Sequence, residues 1–175
     1  MLSAGTVILL IGIPGSGKSY YIKQYKLLHP TTKIAVCSAD HFFEKSGEYK
    51  FNPKLLGQAH DECFEKFYAA LSSNIPVIFV DNTNIIAAHR DRYIKTAHQF
   101  HYSVELIVFK PDVDLSFSRN VHNVPKEALL RMSNQMDITP GEYSIKFNND
   151  NSYSILPLKT EISESLIKYI LYGNI

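Results

Sequence analysis

Short apolar runs alternate along the chain with segments whose apolar residues recur every three or four positions. Four of the runs are continuous and rich in β-branched residues, which is typical of strands in a parallel sheet that is covered on both faces. They span residues 6–11, 33–38, 77–80 and 104–109, and a weaker run at 154–157 predicts a fifth strand. These strands are expected to form the centre of the fold.

The segments between the strands predict helices that pack on the sheet. The helix after the second strand has the clearest start, because Asn52 is a preferred N-cap residue and Pro53 suits the first helical position. Its apolar stripe consists of Leu56, Ala59, Cys63, Phe67 and Ala70. The other helices are expected at about 19–28, 87–100, 112–120, 124–136 and 162–173.

Alternation of strands and helices predicts an α/β fold with a five-stranded parallel sheet and right-handed crossovers. Ligands of such sheets bind at the carboxyl ends of the strands. Polar clusters follow three of the predicted strands, at residues 12–19, 40–41 and 81–84. The sequence therefore predicts one crevice that all three clusters line. We find no internal repeat, and a single domain over residues 1–175 is expected.

The first cluster reads Gly-Ile-Pro-Gly-Ser-Gly-Lys-Ser and matches the P-loop pattern G-x-x-x-x-G-K-[ST] at every fixed position. The run before it and the segment after it supply the strand–loop–helix context that this motif requires. The glycines let backbone N–H groups approach phosphate oxygens, and the helix N-terminus adds partial positive charge. The candidate nucleotide-binding residues are Gly12, Pro14, Gly15, Ser16, Gly17, Lys18 and Ser19.

The residue types in and around this motif predict ATP and Mg²⁺ as the cofactors. Lys18 would neutralise the β- and γ-phosphates, and the Ser19 hydroxyl would hold Mg²⁺. Asp81 follows a buried apolar run, as does a Walker B acid that reaches Mg²⁺ through water. The alternative for Asp81 is a turn residue at the end of a strand.

Composition narrows the class of protein. The chain has 175 residues, of which 45% are hydrophobic and 20% charged, and its net charge is +1, so no global basic field indicates nucleic-acid binding. Cys37 and Cys63 lack metal-site spacing and are expected to be reduced, buried thiols. No apolar run has the length of a membrane span, and residues 1–5 are too short for a signal peptide. An intracellular, cytoplasmic protein without a membrane partner is expected.

Asp40 and two arginines are further candidates for phosphoryl transfer. Transfer to a hydroxyl needs a carboxylate that orients the hydroxyl and accepts its proton, and Asp40 follows the second strand at a suitable position. Its alternative is a turn-capping residue. Arg119 and Arg131 flank the small and polar residues of 120–125, which predicts a mobile helical lid at about 119–136. The alternative is that both arginines are solvated.

A specific order of short motifs runs from Val7 to Met136. The motifs are 12–19, Ser-Ala-Asp-His-Phe-Phe at 38–43, Gly47 with Tyr49 and Phe51, Leu56 with Ala59-His60, Asp-Asn-Thr-Asn at 81–84, and 119–132. In this order they resemble the P-loop kinases related to phage polynucleotide 5′-kinase, a group similar to AAA-type ATPases and zeta-toxin-like kinases. The resemblance is stronger to the kinase-like domains of the Nedd-four-binding-protein type. Beyond Pro140 there is no resemblance.

The resemblance implies a three-layer P-loop NTPase fold of the adenylate-kinase-like type. It implies that Asp40 is the general base toward a 5′-hydroxyl of DNA or RNA, and that Arg119 is a lid arginine that faces the nucleotide phosphates. The candidate substrate-binding residues that it adds are His60, Asn82, Thr83 and Asn84.

The chain departs from the phage kinases at two places. No second arginine follows shortly after Arg119, where residues 121–123 are Val-His-Asn, and no arginine follows soon after Asp40, where residues 41–44 are His-Phe-Phe-Glu. The motifs therefore do not indicate which residues would bind an acceptor phosphate. Phe42, Phe43 and Tyr49 are aromatic residues that could stack bases, with a place in the core as the alternative.

Three functions remain open at this point. The first is an ATP-dependent 5′-hydroxyl kinase acting on a nucleic-acid end, and the second is a phosphotransferase for a nucleoside, sugar or antibiotic. The third is a nucleotide-binding interaction module without transfer activity. The presence of Lys18, Ser19, Asp40 and Asp81 argues against the third function, because a module without activity would tolerate their loss.

Overall fold

The computed structural model describes residues 4–44 and 49–137 and, beyond them, the backbone of three strands. The strands are β1 (Thr6–Ile11), β2 (Ile34–Cys37), β3 (Val77–Val80), β4 (Ser103–Phe109), β5 (Tyr143–Phe147), β6 (Tyr153–Pro157) and β7 (Ile167–Tyr172). The helices are α1 (Lys18–Leu28), α2 (Asp40–Phe43), α3 (Leu56–Ser72), α4 (Ala87–Gln99), α5 (Val113–Ser118) and α6 (Lys126–Asn134), with a 3₁₀ turn at Pro53–Leu55 before α3.

A parallel sheet with the order β2-β3-β1-β4-β7 forms the centre of the structure. Its middle strand β1 pairs in parallel with β3 and with β4. Thr6 of β1 is aligned with Val77 of β3 on one side and with Ser103 of β4 on the other. The α/β fold, the parallel sheet and the first four strands are as predicted. Because these strands are parallel, the carboxyl ends of β1, β2 and β3 lie at one edge of the sheet, where ligands bind in such folds.

The C-terminal part of the prediction is wrong. The predicted fifth strand, β6, lies outside the parallel sheet and pairs antiparallel with β5. The place beside β4 is taken by β7, where the sequence predicted a helix. Residues 167–172 read Ile-Lys-Tyr-Ile-Leu-Tyr, a short apolar segment whose spacing fits a helix while its β-branched and aromatic residues fit a strand. Pairing with the open edge of β4 decides between the two.

Two hydrophobic clusters lie on the two faces of the sheet. Alternate residues of β1 enter different clusters, with Leu9 on one side and Leu10 on the other, and both are fully buried. The first cluster takes in the apolar stripe of α3 from Ala59 to Ala70, and the second takes in Ile22 of α1. The placing of Leu56 in this stripe was wrong, because Leu56 begins the exposed first turn of α3 and is 39% exposed. The sheet is therefore covered on both faces, as its continuous apolar strands predicted.

The start of α3 and the state of the cysteines are also as predicted. The Asn52 side chain accepts a hydrogen bond from the Lys54 N–H and so caps the turn that opens the helix. Cys37 and Cys63 are free and buried. Burial raises the pKa of the Cys37 thiol to about 12, so this thiol stays protonated. Across the residues described here, no helix has the length and apolarity that a membrane crossing requires.

Candidate active site

The P-loop connects the buried strand β1 to α1 and lies tightly packed against the end of β4 and against α5. Gly15 and Gly17 have φ angles of 80° and 100°, in the left-handed region that favours glycine. A Cβ on Gly15 would collide with the Ser116 carbonyl of α5, and a Cβ on Gly12 would lie 2.6 Å from Ser16 Oγ. The loop therefore has the backbone of a phosphate cradle only because these positions are glycines.

The polar groups inside the loop are arranged for an anion. Lys18 Nζ donates to the carbonyl oxygens of Gly12 and Ile13 at 2.9 and 3.0 Å. Burial lowers the pKa of Lys18, while the charges of Asp81 and Asp40 act in the opposite direction. Ser16 Oγ is buried, and the described part of the chain offers it no hydrogen-bond partner. A phosphate oxygen would supply the missing partner, so the loop fits a nucleotide phosphate.

Ser19 and Asp81 meet at the mouth of the loop. Ser19 Oγ donates to Asp81 Oδ2 at 3.1 Å. Burial raises the pKa of Asp81, and Lys18 and the Ser19 hydroxyl partly oppose this shift. No cluster of three or more His, Cys, Asp or Glu residues occurs within the described segments. The pair thus fits Mg²⁺, which is commonly held by one or two protein groups together with substrate phosphates and water.

Asp40 lies across the crevice from the loop. It begins α2, and its N–H donates to Ser38 Oγ at 3.3 Å, while Ser38 Oγ donates to the Asp81 carbonyl at 2.9 Å. Tyr49 Oη donates to Asp40 Oδ1 at 3.2 Å. The charge of Asp40 acts on the pKa values of both Lys18 and Asp81, so the predicted site carboxylates and the P-loop lysine are neighbours.

Asn82 and Asn84 use their side-chain amides inside the protein. Asn82 is buried, accepts a hydrogen bond from the Ala39 N–H at 2.9 Å and donates to Cys63 Sγ at 3.4 Å. It therefore ties the residue before Asp40 to the end of β3. Contact of Asn82 with a substrate stays a prediction, and the internal bonds give it a role in positioning Asp40.

The loop of Asn84 joins β3 to the P-loop. Asn84 Nδ2 donates to the carbonyls of Leu10 and Val80 at 2.8 and 3.1 Å, and the Thr83 carbonyl accepts a hydrogen bond from the Gly12 N–H at 3.0 Å. The fully buried Arg90 donates from Nη1 to the Asn84 carbonyl at 2.7 Å. Thr83 and Asn84 thus fix the start of the P-loop, and their contact with substrate also stays a prediction.

His60 lies half-buried on α3 near two residues of α4, His89 and Arg92, that the sequence did not reveal as site residues. Burial, His89 and Arg92 lower the pKa of His60, and Asp40 and Asp61 oppose the shift. His89 and Arg92 are one turn apart on α4. The signal that could have found them is their three-residue spacing soon after the polar cluster at 81–84. This spacing places both residues in the first turns of the helix that follows the site.

Arg92 is held by two neighbours on α3. Its Cζ lies 3.8 Å from the centre of the Phe64 ring, and its Nη1 lies 3.6 Å from Asp61 Oδ1. Phe64 lies one helical turn after His60, so the guanidinium and the imidazole line the same side of α3. Arg92 therefore lies beside His60, and the charge of Asp40 also acts on the pKa of His60.

The predicted lid region, residues 119–136, contains α6, and residues 119–125 join α6 to α5. Arg119 follows α5 and is exposed, and among the described residues its guanidinium meets no hydrogen-bond or ion-pair partner. Asn120 Nδ2 donates to the Val124 carbonyl at 2.7 Å, which closes the segment into a compact turn. The His122 ring lies 4.2 Å from the Tyr49 ring. The helices are as predicted, and the action of this region as a lid stays a prediction.

The aromatic residues near Asp40 differ in exposure. Phe43 is buried, and Phe42 and Tyr49 pack against the core, so the core alternative is correct for Phe43. Phe51 is 54% exposed and lies edge-on to Phe43, with 5.2 Å between the ring centres. Phe51 is therefore the ring at this edge of the crevice that is open to a ligand.

Comparisons with known proteins show the family and the fold of the chain. A protein-family model described as an AAA domain matches residues 7–137. Human NEDD4-binding protein 2 is 33% identical in an alignment over 132 residues, and the match covers 72% of this chain and 7% of that protein. The chain thus spans only a small part of the length of this relative.

Two solved structures show the same fold at low sequence identity. One is a chain of the Pnkp1/Rnl/Hen1 RNA repair complex, with a TM-score of 0.63 and 16% identity over 94% of this chain and 51% of that chain. The other is a gluconokinase from Sinorhizobium meliloti 1021, with a TM-score of 0.51 and 12% identity over 99% of this chain and 86% of that chain. Because the family model covers well over half of the chain and includes the P-loop, Asp40 and Asp81, this protein belongs to the AAA-domain family.

Proposed function

We propose that this protein is an ATP-dependent kinase that transfers the γ-phosphate of ATP to the 5′-hydroxyl of a polynucleotide. One observation carries the proposal: the Asp40 carboxylate, held by Tyr49, faces the crevice that also contains Lys18 and the Ser19–Asp81 pair. A phosphate cradle on one side and a fixed carboxylate on the other meet the needs of phosphoryl transfer to a hydroxyl.

In this proposal the P-loop binds the phosphates of ATP. The loop N–H groups and Ser16 Oγ contact phosphate oxygens, and Lys18 Nζ exchanges its carbonyl partners for the β- and γ-phosphates. Ser19 and, through water, Asp81 would hold Mg²⁺, which supplies charge neutralisation when it is bound. The exposed Arg119 would reach the γ-phosphate when the region 119–136 closes as a lid.

The reaction balances with the groups of the site. The 5′-hydroxyl gives its proton to the Asp40 carboxylate while its oxygen forms a bond to the γ-phosphorus. The bond from the γ-phosphorus to the β,γ-bridging oxygen breaks, and ADP leaves. Lys18 and Arg119 stabilise the charge on the transferred group, and Asp40 later gives its proton to water.

Three features support a nucleic-acid end as the acceptor. The Arg92 guanidinium places a positive charge near His60, and the rings of His60 and His89 offer nitrogen atoms to an acceptor phosphate on the side of Asp40. Phe51 offers an exposed ring to a base. The fold shared with a chain of an RNA repair complex adds a further argument by similarity. We extend the proposal to one kinase unit over residues 1–175 that works inside the cell, where ATP is available and both thiols stay reduced.

A small-molecule phosphotransferase is the second candidate. It is favoured by the absence of arginine at residues 41–44 and by the shared fold of a gluconokinase. Incubation with γ-labelled ATP and a panel of 5′-hydroxyl DNA and RNA oligonucleotides, nucleosides and gluconate separates the candidates. Label in the oligonucleotides supports the proposal, label only in a small molecule replaces it, and label in no acceptor points to a binding module.

Asp40→Asn tests the mechanism, because asparagine keeps the size of the side chain but cannot accept the proton. We expect transfer to fall about 10²- to 10⁴-fold, the usual value of general-base catalysis, with nearly unchanged affinity for Mg-ATP in calorimetry. Asp91→Asn, on the exposed side of α4, is the control and should behave as wild type. If ATP binding falls together with transfer, Asp40 belongs to the metal site, and another base must be sought.

A further inference from the structure

Tyr49 is held firmly beside Asp40. Its hydroxyl donates to Asp40 Oδ1 at 3.2 Å, and its ring packs against the core and lies edge-on to Phe43, with 6.2 Å between the ring centres. The next residue, Lys50, donates its N–H to the Phe43 carbonyl at 3.0 Å. Backbone and side chain thus fix the phenol relative to α2, the helix that Asp40 begins.

The other face of the Tyr49 ring meets the segment between α5 and α6. The His122 imidazole lies 4.2 Å from it, with an angle of 37° between the rings. The backbone N–H of His122 donates to Asn120 Oδ1 at 3.3 Å, and Asn123 has a φ of 53°. The conformation of this turn is therefore fixed by its own residues. His122 follows Arg119 by three residues, and a displacement of the turn would move both side chains.

We propose that Tyr49 is a positioning residue that orients the Asp40 carboxylate and links it, through the ring contact with His122, to the segment that carries Arg119. The hydrogen bond to Oδ1 leaves the second oxygen of Asp40 to accept the proton of the hydroxyl. The general base would thus be aligned when the 119–125 segment lies against the acceptor side of the crevice. This inference rests on the proposed function, in which Asp40 is the base.

Tyr49→Phe tests the positioning role, because it removes the hydroxyl and keeps the ring. We expect kcat for a 5′-hydroxyl oligonucleotide to fall about 10- to 100-fold, as for the loss of one hydrogen bond to a charged group, with an unchanged Kd for Mg-ATP. Tyr68→Phe, whose ring is half-exposed on α3, is the matched control and should keep wild-type kcat. A wild-type kcat in Tyr49→Phe would overturn the positioning role.

A second measurement tests the link to His122 without any need for transfer. In NMR spectra of the full chain, Asp40→Ala should shift the His122 ring resonances, because the Tyr49 hydroxyl loses its acceptor and the ring relaxes. The same substitution in a Tyr49→Phe background should shift them much less. Equal shifts in both backgrounds, or none in either, would overturn the link. If the link is seen but wild type phosphorylates no acceptor, the proposed function fails and the Tyr49–His122 contact stands.

Discussion

The charged residues of the crevice lie in an environment that disfavours their charges. Burial lowers the pKa of Lys18 and raises that of Asp81, and each charge offsets part of the shift of the other. Shifted pKa values of this kind are concentrated at functional sites, where a bound ligand supplies an opposite charge that stabilises the buried one. A nucleotide phosphate near Lys18 and a metal ion near Asp81 would provide it in the proposed function.

His60 gives a pH-dependent test of the acceptor side. Burial, His89 and Arg92 lower its pKa, so between its folded and unfolded pKa values the unfolded chain binds more protons and stability rises with pH. Wild type should therefore lose more unfolding free energy than His60→Gln when the pH falls from about 7.5 to about 5.5, a range that includes the unperturbed pKa near 6.5. Urea unfolding of both proteins at both pH values measures the difference. Equal losses of unfolding free energy in wild type and His60→Gln would mean that folding does not remove His60 from solvent.

At the scale of the elements, the contact between the P-loop and α5 can be tested with two glycines. Gly15→Ala brings a Cβ against the Ser116 carbonyl at a φ of 80°, which costs at least about 1–2 kcal/mol from the backbone conformation alone. We expect lower stability in urea and weaker binding of ATP.

Gly57→Ala is the matched substitution. Gly57 lies in α3 and has open space around the position of a Cβ, so alanine should be neutral or stabilise the protein by about 0.4–1 kcal/mol. A Gly15→Ala protein as stable as Gly57→Ala would show that the loop and α5 separate readily in solution.

Arg119 tests the lid prediction. In the proposed mechanism its contact with the γ-phosphate strengthens in the transition state, so Arg119→Ala should lower kcat by at least about tenfold while the Kd for ATP changes less. Steady-state kinetics and calorimetry on one preparation measure both values, with Lys95→Ala on α4 as the control. A higher KM with unchanged kcat would indicate a ground-state contact, and wild-type values would show that Arg119 is a solvated residue.

Local sequence signals were sufficient for the elements that carry the P-loop. A continuous apolar run predicted β1, and a glycine-rich motif predicted the loop after it. In the same way, Asn52-Pro53 predicted the start of the turn that leads into α3. The strand β7 could not be predicted in this way, because its partner β4 lies about sixty residues earlier in the chain. For so short an apolar segment, pairing across the sheet outweighs the spacing of its own residues.

The site shows the same division between local and long-range information. The sequence indicated Lys18, Ser19 and Asp81 through their motif and position, and the structure brings them together. The partner of Asp40, Tyr49, and the cation beside His60, Arg92, depend on contacts between different elements. Their sequence neighbours carry no pattern that distinguishes such contacts from ordinary packing or exposure.

For the whole molecule, the sheet order explains how one crevice collects residues from three regions of the chain. The carboxyl ends of β1, β2 and β3 lie side by side, and they deliver the P-loop, Asp40 and Asp81 to one edge. Asn82 and Asn84 bond across these strand ends, so the geometry of the site depends on the folded sheet. Binding of a nucleotide should in turn stabilise the entire domain.

The last prediction uses this linkage. A ligand at one hundred times its Kd adds about 2.7 kcal/mol of stability, which for a chain of this size corresponds to a rise in Tm on the order of 5–10 °C. Mg-ATP should raise the Tm of wild type by this amount and that of Lys18→Ala much less at the same concentration, because the variant lacks the charge that compensates the β- and γ-phosphates. Lys23→Ala, an exposed lysine on the same helix, is the control and should match wild type. Equal Tm shifts in Lys18→Ala and Lys23→Ala would mean that ATP binds elsewhere on the protein, and the P-loop would have no part in the proposed function.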